Sequence, residues 1–111
     1  MIRARVWRWG ACMLTSSVLN DQRSRAVPDM ALDRIRIPAL VAHHREDSCR
    51  LCRFSDVPRL MERLTTPPRK ALMVFEGGIS TGDPCEARAH HGFNGIEREV
   101  VQRIAAWITT P

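Results

Sequence analysis

Apolar residues along the chain are gathered in short runs that alternate with polar stretches. Three runs have the length of β-strands, near residues 11–18, 37–43 and 71–76. Two longer segments, near residues 56–65 and 95–109, repeat apolar residues every three or four positions, as amphipathic helices do. Apolar strands that alternate with such helices are typical of parallel sheets joined by right-handed crossovers. The pattern therefore predicts an α/β fold with about three mainly parallel strands.

Each predicted helix has an apolar face and candidate caps at its N-terminus. The residues on these faces are Val57, Leu60, Met61 and Leu64 in the first helix, and Val100, Val101, Ile104, Trp107 and Ile108 in the second. Ser55 and Asp56 precede the first helix as natural N-caps. Asn94 and Glu97 have the spacing of a capping box in front of the second helix. We expect both helices to pack on the sheet through these faces.

The length of 111 residues allows one modest domain with a single core. No apolar run approaches the roughly 18 residues of a membrane span, so we expect no membrane partner. The net charge of +5 is concentrated in residues 1–36, which contain seven basic and three acidic side chains. These arginines form no single helical face and no nucleic-acid-binding motif, so we expect no nucleic-acid partner either. The chain is thus divided into a basic N-terminal segment, residues 1–36, and a C-terminal portion, residues 37–111.

The N-terminal segment has a cationic start followed by a partly apolar stretch, which is also a feature of signal peptides. The small-residue pattern of a cleavage site is missing after that stretch. A strand explains the same residues better, and we expect one strand in the segment.

In parallel sheets, functional side chains lie beyond the carboxyl ends of the strands. Residues 43–49, His-His-Arg-Glu-Asp-Ser-Cys, follow the second predicted strand, and residues 90–95, His-His-Gly-Phe-Asn-Gly, follow the third strand and its loop. The first segment supplies an acid and the second an imidazole. We therefore predict an acid–histidine pair, in which the carboxylate orients the imidazole as a general base. His43 and His44 are expected at the strand end, one facing inward and one outward.

The segments IPALVAHHREDSC, FEGG and GDPCEARAHHGFNGIEREVVQRIAAWI resemble the C-terminal part of an alpha/beta-hydrolase. The similarity covers residues 14–108 if CMLTSSVL is the strand before the acid strand. In that fold, the acid follows the penultimate core strand and the histidine precedes the final helix. The resemblance implies Asp47 as the triad acid and His91 as the triad histidine, with Glu46 and His90 as adjacent alternatives. It also implies that a complete relative hydrolyses a small-molecule ester or similar acyl substrate without a cofactor.

The chain departs from this family at the nucleophile. The triad order in this fold is serine, acid, histidine, so a Gly-x-Ser-x-Gly elbow belongs upstream of Asp47. The sequence has no such motif, because Ser16 and Ser17 lack flanking glycines. The segment that forms the oxyanion hole is missing as well. We therefore expect a truncated alpha/beta-hydrolase, natural or produced by a misplaced reading frame, that is inactive on its own.

The four cysteines allow more than one interpretation. The resemblance places Cys49 and Cys85 on neighbouring loops, which implies a disulfide and an oxidising compartment, periplasmic or secreted, for the parent protein. Alternatively, Cys49, Cys52 and Cys85 with His90 or His91 have the composition of a Cys3His zinc site, which would make the chain a small non-enzymatic module stapled by zinc. The C-x-x-C spacing also occurs in redox thiol pairs, but the residues typical of thioredoxin-like proteins are absent around it. Finally, a three-stranded sheet would leave an exposed edge for pairing with a partner.

Overall fold

The alternation of strands and helices along the chain forms a parallel sheet with one helix packed on each face. The structure is a computed structural model and describes residues 10–23 and 26–110. The strands are β1 (Cys12–Thr15), β2 (Ala39–His44) and β3 (Lys70–Phe75), and the helices are α1 (Val57–Arg63) and α2 (Glu97–Thr109). The strand order is β1-β2-β3, and both pairs are parallel. The predicted α/β class is confirmed.

Strand β2 is the centre of the sheet, and all six of its residues are buried. Ala39 pairs with Cys12 on one side and with Lys70 on the other, so the three strands begin at the same level. At the other end, His44 pairs with Phe75. Because the strands are parallel, the loops that follow β2 and β3 leave the sheet at the same edge.

Side chains on the two faces of the sheet belong to two separate cores. Successive residues of a strand point to opposite faces, so Ala39 and Val41 lie on one face and Ala42 on the other. The first core packs that face of β2 against α1, and its buried members are Leu19, Leu32, Ala39, Val41, Val57, Leu60 and Leu64. The second core packs the other face against α2 and the preceding loop, with Ala42, Phe75, Phe93 and Val100 buried. Each fully buried leucine contributes about 1.5–3 kcal/mol through removal of apolar surface from water.

The elements match the predicted ones in number and order, while some of their ends differ. Strand β1 is half as long as predicted, because Ser16 adopts a positive φ of 46° and turns the chain out of the sheet. The predicted capping box of Asn94 and Glu97 is wrong. Ile96 occupies the N-cap position, Glu97 accepts a hydrogen bond from the Gly95 amide at 2.7 Å, and the Asn94 side chain donates to a carbonyl in the preceding loop. Asp56 does precede α1, but its side chain makes no capping hydrogen bond.

The predicted apolar face of α2 is only partly covered. Val100 and Trp107 are buried, as expected, but Val101 is 65% exposed and Ile108 is 36% exposed. Val101 lies about 100° around the helix from Val100, so a sheet contacted by Val100 does not reach it. Two arginine side chains lie over aromatic rings on this side of the molecule. The guanidinium carbon of Arg69 is 4.5 Å from the centre of the Trp107 ring, and that of Arg103 is 4.6 Å from the centre of the Phe75 ring.

Parts of the N-terminal segment lie outside the described residues, namely residues 1–9 and 24–25. Among the residues that are described, no helix has both the length and the apolar character required to cross a bilayer.

We predict that shortening a leucine in the core around α1 destabilises the protein more than shortening an exposed leucine of β3. Leu60→Ala removes a side chain that is 0% exposed, so we expect the free energy of unfolding to fall by about 2–5 kcal/mol. Leu72→Ala is the matched control, because that leucine is 38% exposed and its loss leaves no buried cavity. Urea denaturation followed by circular dichroism measures both effects, and equal losses in the two variants would contradict the assignment of the core.

Candidate acid–base site and neighbouring cysteines

Asp47 lies three residues beyond the end of β2, in a turn that places its carboxylate inside the protein. The backbone amide of Asp47 donates to the His44 carbonyl at 3.2 Å, which closes the turn. Its Oδ1 accepts a hydrogen bond from the Cys49 amide at 3.0 Å. The side chain has no exposed surface. Asp47 is thus a fixed carboxylate whose second oxygen remains available to the loop that follows β3.

His91 comes from that loop and completes the pair. Its Nδ1 lies 2.8 Å from Oδ2 of Asp47. An ionised carboxylate only accepts hydrogen bonds, so in the neutral ring Nδ1 carries the proton and Nε2 keeps its lone pair. The His91 side chain is 20% exposed, which leaves the ring in contact with solvent. This tautomer and orientation are those that a general base requires.

The backbone of His91 is held by a residue from β1. Ser16 donates its hydroxyl to the His91 carbonyl oxygen at 2.6 Å. The serine can reach this oxygen because it is the residue at which the chain turns away from the sheet. The sequence draws attention to Ser16 only as a candidate nucleophile, and it lacks the flanking glycines of an elbow. Its role as an anchor for the histidine loop had no signal in the sequence, because the contact spans 75 residues.

Gly92 explains why the chain can bend tightly after His91. A Cβ atom at this position would lie 2.3 Å from the Ala87 carbonyl oxygen, closer than a real Cβ contact allows. The backbone at residues 87 and 92 therefore approaches within a distance that only glycine permits. The glycine directly after the histidine is the sequence signal for this turn.

His43 lies beneath the pair and is a further member of the site. Its Nε2 lies 2.6 Å from the Cys52 carbonyl oxygen and 3.4 Å from Oδ2 of Asp47, and the residue is 0% exposed. Burial lowers the pKa of His43, although the Cys52 carbonyl and the Asp47 carboxylate act in the opposite direction. The neutral ring therefore donates from Nε2, while its buried Nδ1 has no hydrogen-bond partner among the described residues.

The sequence predicted that one of His43 and His44 would face outward, which is wrong. Both are 0% exposed, because each face of β2 is covered. His44 accepts a hydrogen bond from the Glu46 amide at Nδ1 and lies 2.8 Å from the Gly77 carbonyl through Nε2. Those contacts satisfy both nitrogens of a neutral ring.

The adjacent alternatives, Glu46 and His90, contact each other instead. His90 Nε2 lies 3.3 Å from Glu46 Oε2, and the glutamate side chain is 67% exposed. Because the glutamate of this pair is largely exposed, solvent screens the interaction and it contributes little. The structure thus brings together both sets of neighbours, Asp47 with His91 and Glu46 with His90, and only the first contains a buried acid.

Cys49 and Cys85 link the acid loop to the histidine loop. Their sulfur atoms lie 2.08 Å apart, at bonding distance, in the pairing implied by the hydrolase resemblance. Cys12 and Cys52 are free thiols, of which Cys52 is buried. Burial, with a smaller effect from the Asp47 carboxylate, raises the pKa of Cys52 to about 11. At neutral pH it is therefore a protonated thiol.

The same cysteines lie against the acid–base pair. The sulfur atoms of Cys49 and Cys52 and a ring nitrogen of His91 are all within 4.8 Å of one another. Of the two histidines considered for the zinc alternative, the structure thus places His91 beside the C-x-x-C pair.

Comparison with protein-family models, curated protein sequences and solved structures finds no match to this chain. The geometry at the sheet edge is therefore the basis for assigning a function.

We predict that His43 makes the fold sensitive to acid. Because burial lowers its pKa from the ordinary value of 6.5, the unfolded chain takes up the proton first as the pH falls. The contribution of the neutral ring is present above pH 6.5 and is lost as the pH falls below that value toward the lower pKa of the folded state. Urea denaturation from about pH 7.5 to about pH 5 measures this dependence.

The variant His43→Gln separates His43 from the other titrating groups. Glutamine retains a donor for the Cys52 carbonyl but does not titrate, so the decrease in unfolding free energy below pH 6.5 should be smaller than in the wild-type protein. Identical pH dependence in the two proteins would contradict the prediction.

Proposed function

We propose that Asp47 and His91 are the acid and the general base of an alpha/beta-hydrolase-type site, in a portion of that fold without a nucleophile elbow. The observation behind the proposal is the 2.8 Å hydrogen bond between a fully buried Asp47 carboxylate and His91 Nδ1. The two residues come from the loops after β2 and β3, at the carboxyl edge of a parallel sheet. That edge is where open α/β sheets bind their ligands.

The chemistry of the pair suits acyl transfer from a small ester substrate. In a complete site, a serine hydroxyl attacks the ester carbonyl carbon while Nε2 of His91 takes the hydroxyl proton. The imidazolium then gives that proton to the leaving alcohol, and the Asp47 carboxylate stabilises the positive charge in between. His91 is partly exposed and Asp47 is not, which matches the different needs of a base and of the acid that orients it.

Asp47 and His91 are preferred over Glu46 and His90 because of burial. The Asp47 carboxylate accepts from the Cys49 amide as well as from His91, so its position is fixed. The Glu46 side chain is 67% exposed, so water competes with His90 for hydrogen bonds to its carboxylate. A carboxylate in that position does not select one tautomer of a neighbouring histidine.

The nucleophile is the missing component. Ser16 donates to the His91 backbone carbonyl, so its hydroxyl is engaged away from the imidazole. The edge of β1 is the natural place for a further parallel strand that brings a serine, because β1 pairs only with β2 among the described residues. We propose pairing through this exposed sheet edge as the way in which a partner segment completes the site.

We predict that Asp47 determines the tautomer of His91. When the imidazole of His91 is neutral, nitrogen-15 NMR of the wild-type protein should show its proton on Nδ1. Asp47→Asn should shift it toward Nε2, because an amide no longer offers a purely accepting oxygen pair. Glu46→Gln is the matched control and should leave His91 unchanged. A response of His91 to Glu46→Gln, or none to Asp47→Asn, would exclude Asp47 as the orienting acid.

We also predict that the chain alone does not turn over esters. Hydrolysis of p-nitrophenyl acetate should be no faster than with the same concentration of free imidazole, because no elbow serine is present to attack. His91→Ala serves as the control for the contribution of the imidazole. Faster turnover that disappears in His91→Ala would show that the chain contains its own nucleophile and would overturn this part of the proposal.

A further inference from the structure

Three side chains that bind soft metal ions lie close together at the sheet edge. The sulfur atoms of Cys49 and Cys52 and a ring nitrogen of His91 lie within 4.8 Å of one another. Cys85, which is exposed, lies beside this cluster because its sulfur is bonded to that of Cys49. Three cysteines and one histidine are a common ligand set of structural zinc sites.

We propose that reduction of the Cys49–Cys85 disulfide converts this cluster into a Zn²⁺ site with Cys49, Cys52, Cys85 and His91 as ligands, and that zinc binding removes His91 from its role as a base. The proposal of a zinc site depends only on the closeness of these ligand atoms. The second part of the proposal rests on the function proposed above for Asp47 and His91.

The chemistry of the sulfur atoms explains why the disulfide and the metal exclude each other. Zinc binds cysteine as the thiolate, and neither sulfur atom of a disulfide is a thiolate. In a tetrahedral site with Zn–S bonds of about 2.3 Å, neighbouring sulfur atoms lie about 3.8 Å apart. The sulfur atoms of Cys49 and Cys52 and the ring nitrogen of His91, within 4.8 Å of one another, therefore need shifts of only about 1 Å, and Cys85 is the neighbouring thiol that reduction sets free.

The backbone already has the turn that a C-x-x-C zinc ligand pair needs. The Cys52 amide donates to the Cys49 carbonyl at 2.8 Å, and the two sulfur atoms lie within 4.8 Å of each other. Both residues are 2% exposed, which keeps competing water away from the sulfur atoms. The Asp47 carboxylate accepts from the Cys49 amide and fixes the start of this turn.

Asp47 also prepares His91 as a ligand. Zinc-bound histidines commonly donate their other ring N–H to a carboxylate, which fixes the tautomer and raises the basicity of the ligating nitrogen. The 2.8 Å bond from His91 Nδ1 to Asp47 leaves the Nε2 lone pair for the metal. The same hydrogen bond thus serves a general base in the oxidised protein and a zinc ligand in the reduced one.

The conversion balances without an unnamed reactant. A phosphine supplies two electrons to the S–S bond and becomes a phosphine oxide, and the water molecule that provides its oxygen also provides one proton to each of Cys49 and Cys85. Zn²⁺ then displaces the protons of the three thiols, which are released to solvent, and binds His91 without loss of a proton. Because Nε2 has one lone pair, an imidazole bound to zinc cannot accept a proton from a nucleophile.

The test is a metal titration of the full chain in both redox states. The oxidised protein and protein reduced with a phosphine are titrated with Co²⁺, whose thiolate charge-transfer and d–d absorption report tetrahedral sulfur ligation, and then with Zn²⁺ against a chelator. We expect one ion per reduced chain and binding at least roughly 100-fold weaker to the oxidised chain. Equal affinity in the two states, or no tetrahedral cobalt spectrum in the reduced state, would overturn the proposal.

Single substitutions identify the ligands. Cys52→Ser and His91→Ala should each weaken binding by about 100-fold or more, and Asp47→Asn by about 10–100-fold. Cys12→Ser and His90→Ala are the controls outside the cluster and should bind as the wild-type protein does. Loss of affinity in His90→Ala in place of His91→Ala would contradict the ligand set. Circular dichroism of each oxidised variant verifies the fold before reduction.

The zinc site and the proposed function can fail separately. The tautomer of His91 is measured in the oxidised protein without metal, so it reports the acid–base pair alone. A normal tautomer with no zinc binding by the reduced chain would reject only the zinc site. If the reduced chain binds zinc but Asp47→Asn leaves the tautomer of His91 unchanged, only the proposed role of the Asp47–His91 pair is rejected.

Discussion

The buried Asp47 carboxylate is the constraint on which the rest of the sheet edge depends. A charged group removed from water is costly unless hydrogen-bond donors replace its hydration, and an unpaired one costs several kcal/mol. Asp47 meets this requirement with the Cys49 amide at one oxygen and His91 Nδ1 at the other, with His43 Nε2 close to the second oxygen. Two of these donors lie in residues 43–49, like Asp47 itself, and His91 lies in the loop after β3, so the carboxylate positions these two segments relative to each other.

The loop that contains His91 needs more than this hydrogen bond to stay in place. The Ser16 hydroxyl holds the His91 carbonyl, and Gly92 allows the close backbone contact that follows. The Cys49–Cys85 bond closes a loop of 36 residues, which in the chain-entropy description stabilises the fold by about 4 kcal/mol. A site formed by two loops at the edge of a small sheet thus obtains its rigidity from the sheet, a hydroxyl anchor and a covalent link.

The sequence was sufficient to predict the α/β class, the three strands and the segments that meet at the sheet edge, because these follow from apolar periodicity and from the direction of parallel strands. The pairing of Asp47 with His91 also followed, with the help of the family resemblance. The contact of His43 with Asp47 was not predictable in the same way, since a histidine at the end of an apolar strand gives no signal of which neighbours cover it. The Ser16 anchor was missed because it depends on a positive φ at the end of β1.

The disulfide and the proposed zinc site join the same two loops, which has a consequence for the fold and for the chemistry. Breaking the Cys49–Cys85 bond alone would release the constraint on the 36-residue loop that separates them. A zinc ion bound by both cysteines would restore a link between the same positions, so the loops stay together in either form. The two forms differ in the imidazole of His91. In the disulfide form it is hydrogen-bonded to Asp47, and in the zinc form it would also bind the metal ion that links the loops. A change in the redox state of two sulfur atoms therefore alters the availability of the imidazole without requiring the sheet or the helices to move.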